Sequence, residues 1–203
     1  MKSGIIGGPG SGKTTVFEAL TGNFQEAGRR GDNRIAAIRV PDPRVEVLAG
    51  MYTPQKTNYA QVEYLLPGKG LEKDGVKEGS SWTAVRDCDA LIHVVRNFSS
   101  YGLAEPTPLD EVNHIDQELI LNDFMVAEKR LERLNLDQKR GRKSDPEERA
   151  LLEACISTVE NNTPLRRQPE LASAPLLRGF AFLSSKPMLV LFNNADEDDC
   201  LPD

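Results

Sequence analysis

The sequence predicts a three-layer α/β fold with a mostly parallel sheet and an antiparallel helical hairpin inserted into it. Three observations carry this prediction. A strand, a glycine-rich loop and a helix open the chain; further short apolar runs alternate with helical segments; and a long polar helical region precedes the last apolar run. The length of 203 residues allows one domain with an insertion.

The amino-terminal segment is the most informative. Residues 3–7 (SGIIG) predict a short buried strand, and residues 7–14 (GGPGSGKT) follow it. The latter match G-x-x-x-x-G-K-[ST], the phosphate-binding loop (P-loop), in which successive backbone N–H groups surround a phosphate. The next residues predict a helix with Val16, Phe17 and Leu20 on one face. Strand, loop and helix together are the context that this motif requires.

The chemistry of the P-loop assigns roles to its residues. Lys13 is expected to reach the β- and γ-phosphates, and the Thr14 hydroxyl to bind Mg²⁺, so these two are the candidate catalytic residues and Thr14 is the candidate metal ligand. The nucleotide-binding residues of the loop are Pro9, Gly10, Ser11, Gly12, Lys13, Thr14 and Thr15. Kinases, ATPases and GTPases share this loop, so it does not choose among them.

Four more apolar runs predict the remaining strands, at residues 35–40, 62–66, 90–95 and 188–192. With the first strand they make five, separated by helical segments, which favours a mostly parallel sheet between two helical layers. His93 lies inside the fourth of these strands and is expected to be a hydrogen-bonded core residue.

A helical hairpin is predicted between the fourth and fifth strands. Its first arm places Ile120, Phe124, Ala127, Leu131 and Leu134 at steps of four and three residues, which is typical of a coiled-coil seam. The second arm starts with Asp145 as N-cap and Pro146 in the first turn, and each arm is expected to have about 20 residues. The bend carries four cations that either form a solvated tip or contact a phosphate backbone such as ribosomal RNA, namely Lys139, Arg140, Arg142 and Lys143.

Several segments together suggest a family. They are PDPR at 41–44, RDCDALIHVVRNF at 86–98, the stretch 108–134 and KPMLVLFNNAD at 186–196. In this combination they resemble the YchF family, the Obg-like ATPases among the translation-factor GTPases. The resemblance implies a GTPase-like P-loop NTPase domain at 1–107 and 163–203 with a coiled-coil hairpin at 108–162. It also implies a regulator that binds ATP or GTP with Mg²⁺ and hydrolyses it slowly, with the ribosome as a hypothetical partner.

Two departures from the family pattern put hydrolysis in doubt. No threonine stands between Thr21 and Thr53, where the family's first switch segment has one. Leu66 stands near the place of the aspartate in D-x-x-G, with Gly68 as the surviving glycine, and a leucine cannot hold a metal-bound water. A nucleotide-binding module without hydrolysis is therefore the alternative function. A nucleoside-monophosphate kinase, supported only by GGPGSGKT, is a minor alternative.

The base-recognition segment leaves the nucleotide open. Asn193 and Asp196 fit the first and last positions of N-K-x-D, the guanine-binding motif, whereas Asn194 replaces its lysine. An aspartate suits the two donors of guanine, but the YchF family is associated with adenine, so both ATP and GTP remain candidates. The segment could also be a plain acidic turn.

Composition excludes several classes of protein. The 25 Lys and Arg against 31 Asp and Glu give a net charge of -6, so a strongly basic DNA-coating protein is excluded and no DNA partner is expected. There is no apolar run of membrane-spanning length, which predicts a cytoplasmic protein without a membrane partner. The family's last strand, closing helix and small carboxyl-terminal domain do not fit after Asp196, so the domain is expected to be incomplete there.

Overall fold

Five strands form the predicted sheet. The computed structural model describes residues 1–24, 33–68, 80–102, 104–142 and 145–198. The strands are β1 (Lys2–Ile6), β2 (Arg34–Arg39), β3 (Gln61–Leu66), β4 (Ala90–Asn97) and β5 (Met188–Asn194). All five predicted strands are therefore present within one or two residues of their expected ends.

The strand order is β2-β3-β1-β4-β5, so β1 lies at the centre of the sheet. All neighbours are parallel except β2, which runs antiparallel to β3. Ser3 on β1 lies beside Tyr64 on β3 and Ala90 on β4. The mostly parallel sheet is confirmed, and its topology brings the carboxyl ends of β1, β3, β4 and β5 to one edge.

Helices cover both faces of the sheet, which makes three layers. The helices between the strands are α1 (Lys13–Thr21), α2 (Pro43–Tyr52) and α3 (Ser80–Arg86). On one face Phe17 of α1 packs with Ile5 and Val94, whereas on the other face Trp82 of α3 packs with Leu91. Strand residues thus alternate between two apolar cores, as the period of two along a strand requires.

The predicted hairpin is present, but its arms are unequal. Helix α4 (Pro108–Lys139) has 32 residues and α5 (Pro146–Glu160) has 15, rather than about 20 each. The difference arises because the first half of α4 covers the sheet, where Ile115 and Leu119 are buried against the α3 side. From Ile120 onward α4 packs in the core that contains α5.

The coiled-coil seam of the second half is apolar, as the spacing predicted. Ala127 and Leu134 of α4 are buried with Leu152 and Val159 of α5. Asp145 caps α5, because its carboxylate accepts a hydrogen bond from the Glu147 amide at 2.9 Å. At the side of the seam Arg130 makes a two-pronged ion pair with Glu148, at 2.7 and 2.9 Å.

The return from the hairpin to β5 is held against α4. It contains two 3-10 segments (Leu165–Arg167 and Pro175–Phe180) and the short helix α6 (Pro169–Ala172). Asp123, in the middle of α4, is 1% exposed, and it accepts hydrogen bonds from the amides of Leu183 and Ser184. Within the described residues no helix is long and apolar enough to cross a membrane.

Candidate nucleotide-binding site

The P-loop connects the end of β1 to the start of α1. Three of its glycines, Gly7, Gly10 and Gly12, have positive φ angles of 148°, 74° and 93°. These angles lie in the region that side chains disfavour, and they let the chain turn sharply between the strand and the helix. Gly12 is the N-cap of α1, and Val16 makes the first helical hydrogen bond to its carbonyl at 3.0 Å.

At two of these glycines an added Cβ would meet a neighbouring residue. A Cβ on Gly7 would lie 2.2 Å from the carbonyl oxygen of Val94 on β4, and a Cβ on Gly12 would lie 2.2 Å from Nδ2 of Asn193. Both distances are far below contact. At Gly7 the obstacle is the backbone of β4, which cannot move aside, whereas at Gly12 it is the end of the Asn193 side chain, which can. This close packing fixes the direction of the backbone groups that would face a phosphate.

The Lys13 side chain lies along the loop. Its Nζ donates to the carbonyl of Gly7 at 3.0 Å and to that of Gly8 at 2.6 Å. Pro9, Gly10, Thr14 and Thr15 are exposed, whereas Ser11 is buried.

The first turn of α1 contains no acidic residue. The positive end of the helix and the Lys13 ammonium both lie at the P-loop, where they would attract an anion such as phosphate.

A divalent metal would find fewer protein ligands than a phosphate. Thr14 offers a hydroxyl at the first turn of α1, next to the place where the phosphate fits. Within the described part of the chain no group of three or more His, Cys, Asp or Glu side chains could hold a metal ion. Mg²⁺ commonly keeps several waters and takes its remaining ligands from one or two protein groups and from substrate phosphates, so Thr14 with a nucleotide fits it.

The end of β3 carries leucines where the family pattern has its aspartate. Counting back from Gly68 in D-x-x-G places the aspartate position at Leu65, one residue before the expected Leu66. Both leucines are core residues, 2% and 6% exposed. Glu63 lies further back on β3, and its carboxylate is 3.4 Å from the Lys2 ammonium, so it does not replace the missing carboxylate.

The candidate base-recognition residues do not lie together in the structure. Asn193 lies against the P-loop, where its Nδ2 donates to the carbonyl of Ser11 at 3.0 Å. Asp196 is exposed in the turn after β5 and lies outside this contact. Asn194, at the place of the motif's lysine, donates to the carbonyl of Asp198 at 2.9 Å and closes that turn.

Glu111 near the start of α4 is a candidate that the sequence analysis missed. A Cβ placed on Gly8 would lie 3.9 Å from its Oε2, and the same oxygen accepts a hydrogen bond from the Arg96 amide at 3.4 Å. The sequence gives no signal for this contact, because about a hundred residues separate Glu111 from the P-loop. The fold brings them together at the carboxyl edge of the sheet.

His93 is buried as expected, but its expected hydrogen bond is absent. The side chain is fully buried, and neither ring nitrogen has a hydrogen-bond partner in the described structure. Burial lowers the pKa of His93 to about 4, although the negative charge of Asp116 opposes this shift. The ring is therefore neutral at neutral pH.

The hairpin bend exposes part of the predicted basic tip. Lys139 ends α4, Arg140 follows it, and both are exposed. Arg142 is also exposed and pairs with Asp137 at 3.2 Å. Lys143, the fourth predicted cation, lies outside the described residues.

Comparisons with known proteins agree with the resemblance of the motifs, although no family model matches the sequence. The chain is 31% identical over 204 residues to the Ribosome-binding ATPase YchF of Escherichia coli O157:H7, covering 95% of this chain and 56% of that protein. It is 29% identical over 210 residues to the protein of the same name in Bacillus subtilis (strain 168), covering 98% and 57%.

A solved structure gives the same result. The Schizosaccharomyces pombe YchF GTPase superposes with a TM-score of 0.71 at 27% identity, covering 98% of this chain and 57% of that one. The chain therefore spans little more than half the length of these relatives. Over the part of them that it spans, the chain is a homologue of the YchF proteins and has their P-loop fold.

Proposed function

We propose that this chain binds a purine nucleoside triphosphate, ATP or GTP, together with Mg²⁺, and that the bound nucleotide regulates an interaction with the ribosome. The observation that carries the proposal is the P-loop itself. Gly7 leaves no room for a side chain, Gly12 packs against Asn193, and Lys13 lies along the loop carbonyls beside the amino end of α1. Bare backbone, a cation and a helix end are the groups that bind phosphates.

Each predicted residue has a role in this proposal. The backbone of Gly10, Ser11 and Gly12 surrounds the phosphates, and Lys13 leaves the loop carbonyls to neutralise the β- and γ-phosphates. Thr14 binds Mg²⁺, Thr15 bonds the α-phosphate, and Pro9 shapes the rim of the loop. Asn193 holds the loop in place through Ser11, and Asp196 is the candidate partner of the base.

Hydrolysis is proposed to be slow. Phosphoryl transfer depends on positioned charge and a positioned water, and Leu65 and Leu66 supply neither at the end of β3. These leucines also favour the second candidate function, a module that binds nucleotide and does not hydrolyse it. The names of the relatives favour both over a nucleoside-monophosphate kinase.

The domain bounds, the partner and the localisation belong to the same proposal. The nucleotide-binding domain comprises residues 1–107 and 163–203, and the hairpin insertion comprises 108–162. The relatives' printed names suggest the ribosome as partner, and the exposed tip with Lys139 and Arg140 is the proposed contact with its RNA. Such a partner would place the protein in the cytoplasm.

A single-turnover assay separates the two candidate functions. Wild-type protein in excess over radiolabelled ATP or GTP is expected to release phosphate slowly with Mg²⁺ and not in its absence. Lys13→Ala is expected to lower the affinity about a hundredfold and to abolish release. Lys129→Ala, which changes an exposed lysine on α4, serves as the matched control. Magnesium-dependent release that is unaffected by Lys13→Ala would contradict the proposal; binding with no detectable release would select the second candidate.

A further inference from the structure

The Glu111 side chain on α4 lies beside the P-loop. Its Oε2 lies 3.9 Å from the position of a Cβ on Gly8, and Lys13 donates to the carbonyl of that same glycine at 2.6 Å. A carboxylate and an ammonium therefore flank one residue of the loop. The carboxylate is held there by the Arg96 amide and by its place in the first turn of α4.

A phosphate in the loop would change the balance of charge at this point. The Lys13 ammonium and the end of α1 attract the anion, whereas the Glu111 carboxylate repels it. A ligand shifts the position of an element only when it interacts differently with its alternative positions. Glu111 supplies that difference for α4, because each added phosphate charge disfavours the position in which the carboxylate lies beside the loop.

Between α4 and the sheet, next to Glu111, several buried polar groups lack hydrogen-bond partners. In the described structure both ring nitrogens of His93 and one terminal nitrogen of Arg166 are buried without a hydrogen-bond partner. Arg166 holds Asp116 of α4 at 2.6 Å, and the charges that act on His93 are those of Asp116, Lys13 and Arg166. A small shift of α4 that keeps Ile115 and Leu119 buried could give these nitrogens hydrogen-bond partners, and that gain would offset part of its cost.

A shift of the first turn of α4 would be transmitted along the helix to the hairpin. The helix is continuous from Pro108 to Lys139 and has no internal proline or glycine, so it is about 48 Å long. Asp123 fixes its middle to the Leu183 and Ser184 amides, and Arg130 joins its second half to α5 through Glu148. Movement of the first turn about Asp123 therefore moves the basic tip as well.

We infer that Glu111 is a positioning residue through which the charge of the bound nucleotide sets the position of α4 and of the hairpin tip. The inference rests on the proposed nucleotide binding and deepens it by naming how the site is coupled to the partner surface. Triphosphate, with more negative charge than diphosphate, displaces the Glu111 carboxylate further, and the tip follows.

Calorimetry tests the charge effect. Glu111→Gln keeps the shape of the side chain and removes its charge, so it is expected to bind the non-hydrolysable triphosphate analogue about five times more tightly than wild type, and the diphosphate about twice as tightly. Glu118→Gln is the matched control, because Glu118 lies two turns further along α4 and pairs with His114. This control is expected to bind both nucleotides as wild type does.

A distance measurement tests the movement. Spin labels at Tyr52→Cys on α2 and Leu136→Cys on α4, both exposed, report the position of the hairpin in a Cys200→Ser background, since Cys88 and Cys155 are buried. Exchange of diphosphate for the triphosphate analogue is expected to shift the mean distance by roughly 2 Å. A tilt of about 5° about Asp123 gives a shift of this size at Leu136. The shift is expected to vanish in Glu111→Gln and to persist in Glu118→Gln.

Three results would overturn the inference. Triphosphate affinity of Glu111→Gln within twofold of wild type would show that the carboxylate does not act on the bound phosphate. A distance shift that survives in Glu111→Gln would show that another route moves the hairpin. Absence of any nucleotide binding by the wild-type chain would reject the proposed function and this inference with it, whereas the first two results leave the proposed function standing.

Discussion

The P-loop and the end of β3 lie side by side, because β1 and β3 are neighbouring parallel strands, yet they are built from different groups. The P-loop is made of bare backbone, with Gly7 and Gly12 packed against Val94 and Asn193. The end of β3 is made of two buried leucines. Phosphate binding needs only backbone groups and one cation, whereas rapid turnover needs a positioned carboxylate or water.

This difference indicates that two separate parts of one edge of the sheet would serve phosphate binding and turnover. In this chain the part proposed to bind phosphate has a tight geometry, and the part that supports hydrolysis in the family pattern is occupied by the apolar core. Substitutions in the two parts should therefore have different consequences, and four of them test the comparison.

The largest effect is expected from Gly7→Ala. The new methyl group would lie 2.2 Å from the Val94 carbonyl, and φ is 148°, so overpacking and backbone strain should together lower the free energy of unfolding by about 4 kcal/mol. Urea unfolding measures this change. Gly50→Ala, in α2 with nothing within 4 Å, is the control and should change stability by less than about 1 kcal/mol. Equal stability of the two variants would refute the close packing of the loop.

Leu65→Ala tests the other side of the comparison. Removal of a leucine that is 2% exposed should lower the free energy of unfolding by about 3 kcal/mol, because it leaves a cavity in the core. Nucleotide affinity, measured by calorimetry on the folded variant, should stay within twofold of wild type. The exposed Leu121 provides a control whose substitution by alanine should be nearly neutral. A tenfold loss of affinity in Leu65→Ala alone would mean that the end of β3 does take part in binding.

His93 lies on β4, beside Ile6 at the end of β1, and it predicts a pH dependence of stability. Its pKa is about 4 in the folded protein against 6.5 for the ordinary side chain, so the unfolded chain binds the additional proton between these values. Stability should be complete above pH 6.5 and should fall as the pH drops toward 4, by up to about 3 kcal/mol for a shift of this size.

The measurement is urea unfolding of wild type and His93→Leu across pH 4 to 7. Subtraction of the two curves removes the contributions of the carboxyl groups that titrate in the same range. Between pH 7 and pH 4 the free energy of unfolding of wild type should fall by about 3 kcal/mol more than that of His93→Leu. Parallel curves would show that His93 takes up its proton in the folded protein as readily as in the unfolded chain.

The smallest effect is expected from Asn193→Ala. It removes the hydrogen bond to the Ser11 carbonyl, which should cost about 1 kcal/mol of stability and lower nucleotide affinity a few fold because the loop is less firmly held. Asn97→Ala removes a bond of the same length to Asn194 and leaves the loop untouched, so it should affect stability only. Equal nucleotide affinities of the two variants would separate Asn193 from the function of the loop.

Local sequence patterns were enough to predict the five strands, the P-loop and the hairpin, because each depends on neighbouring residues. The unequal arms of the hairpin could not be predicted, because the first half of α4 has the same helical spacing whether it faces α5 or the sheet; its contacts at Ile115 and Leu119 decide the matter. Glu111 and Asn193 are far from the loop in sequence, and only the folded arrangement of the strands and α4 brings them to it. His93 lacks the hydrogen bond that a buried polar group usually has.

The central claim is that the P-loop binds a purine nucleoside triphosphate through Lys13. Titration calorimetry of the wild-type chain with non-hydrolysable ATP and GTP analogues, with and without Mg²⁺, tests it most directly. We predict one site per chain, tighter binding with Mg²⁺ for at least one of the two nucleotides, and a loss of affinity of about a hundredfold in Lys13→Ala. Absence of binding in the wild type, or equal affinity in Lys13→Ala, would contradict the account.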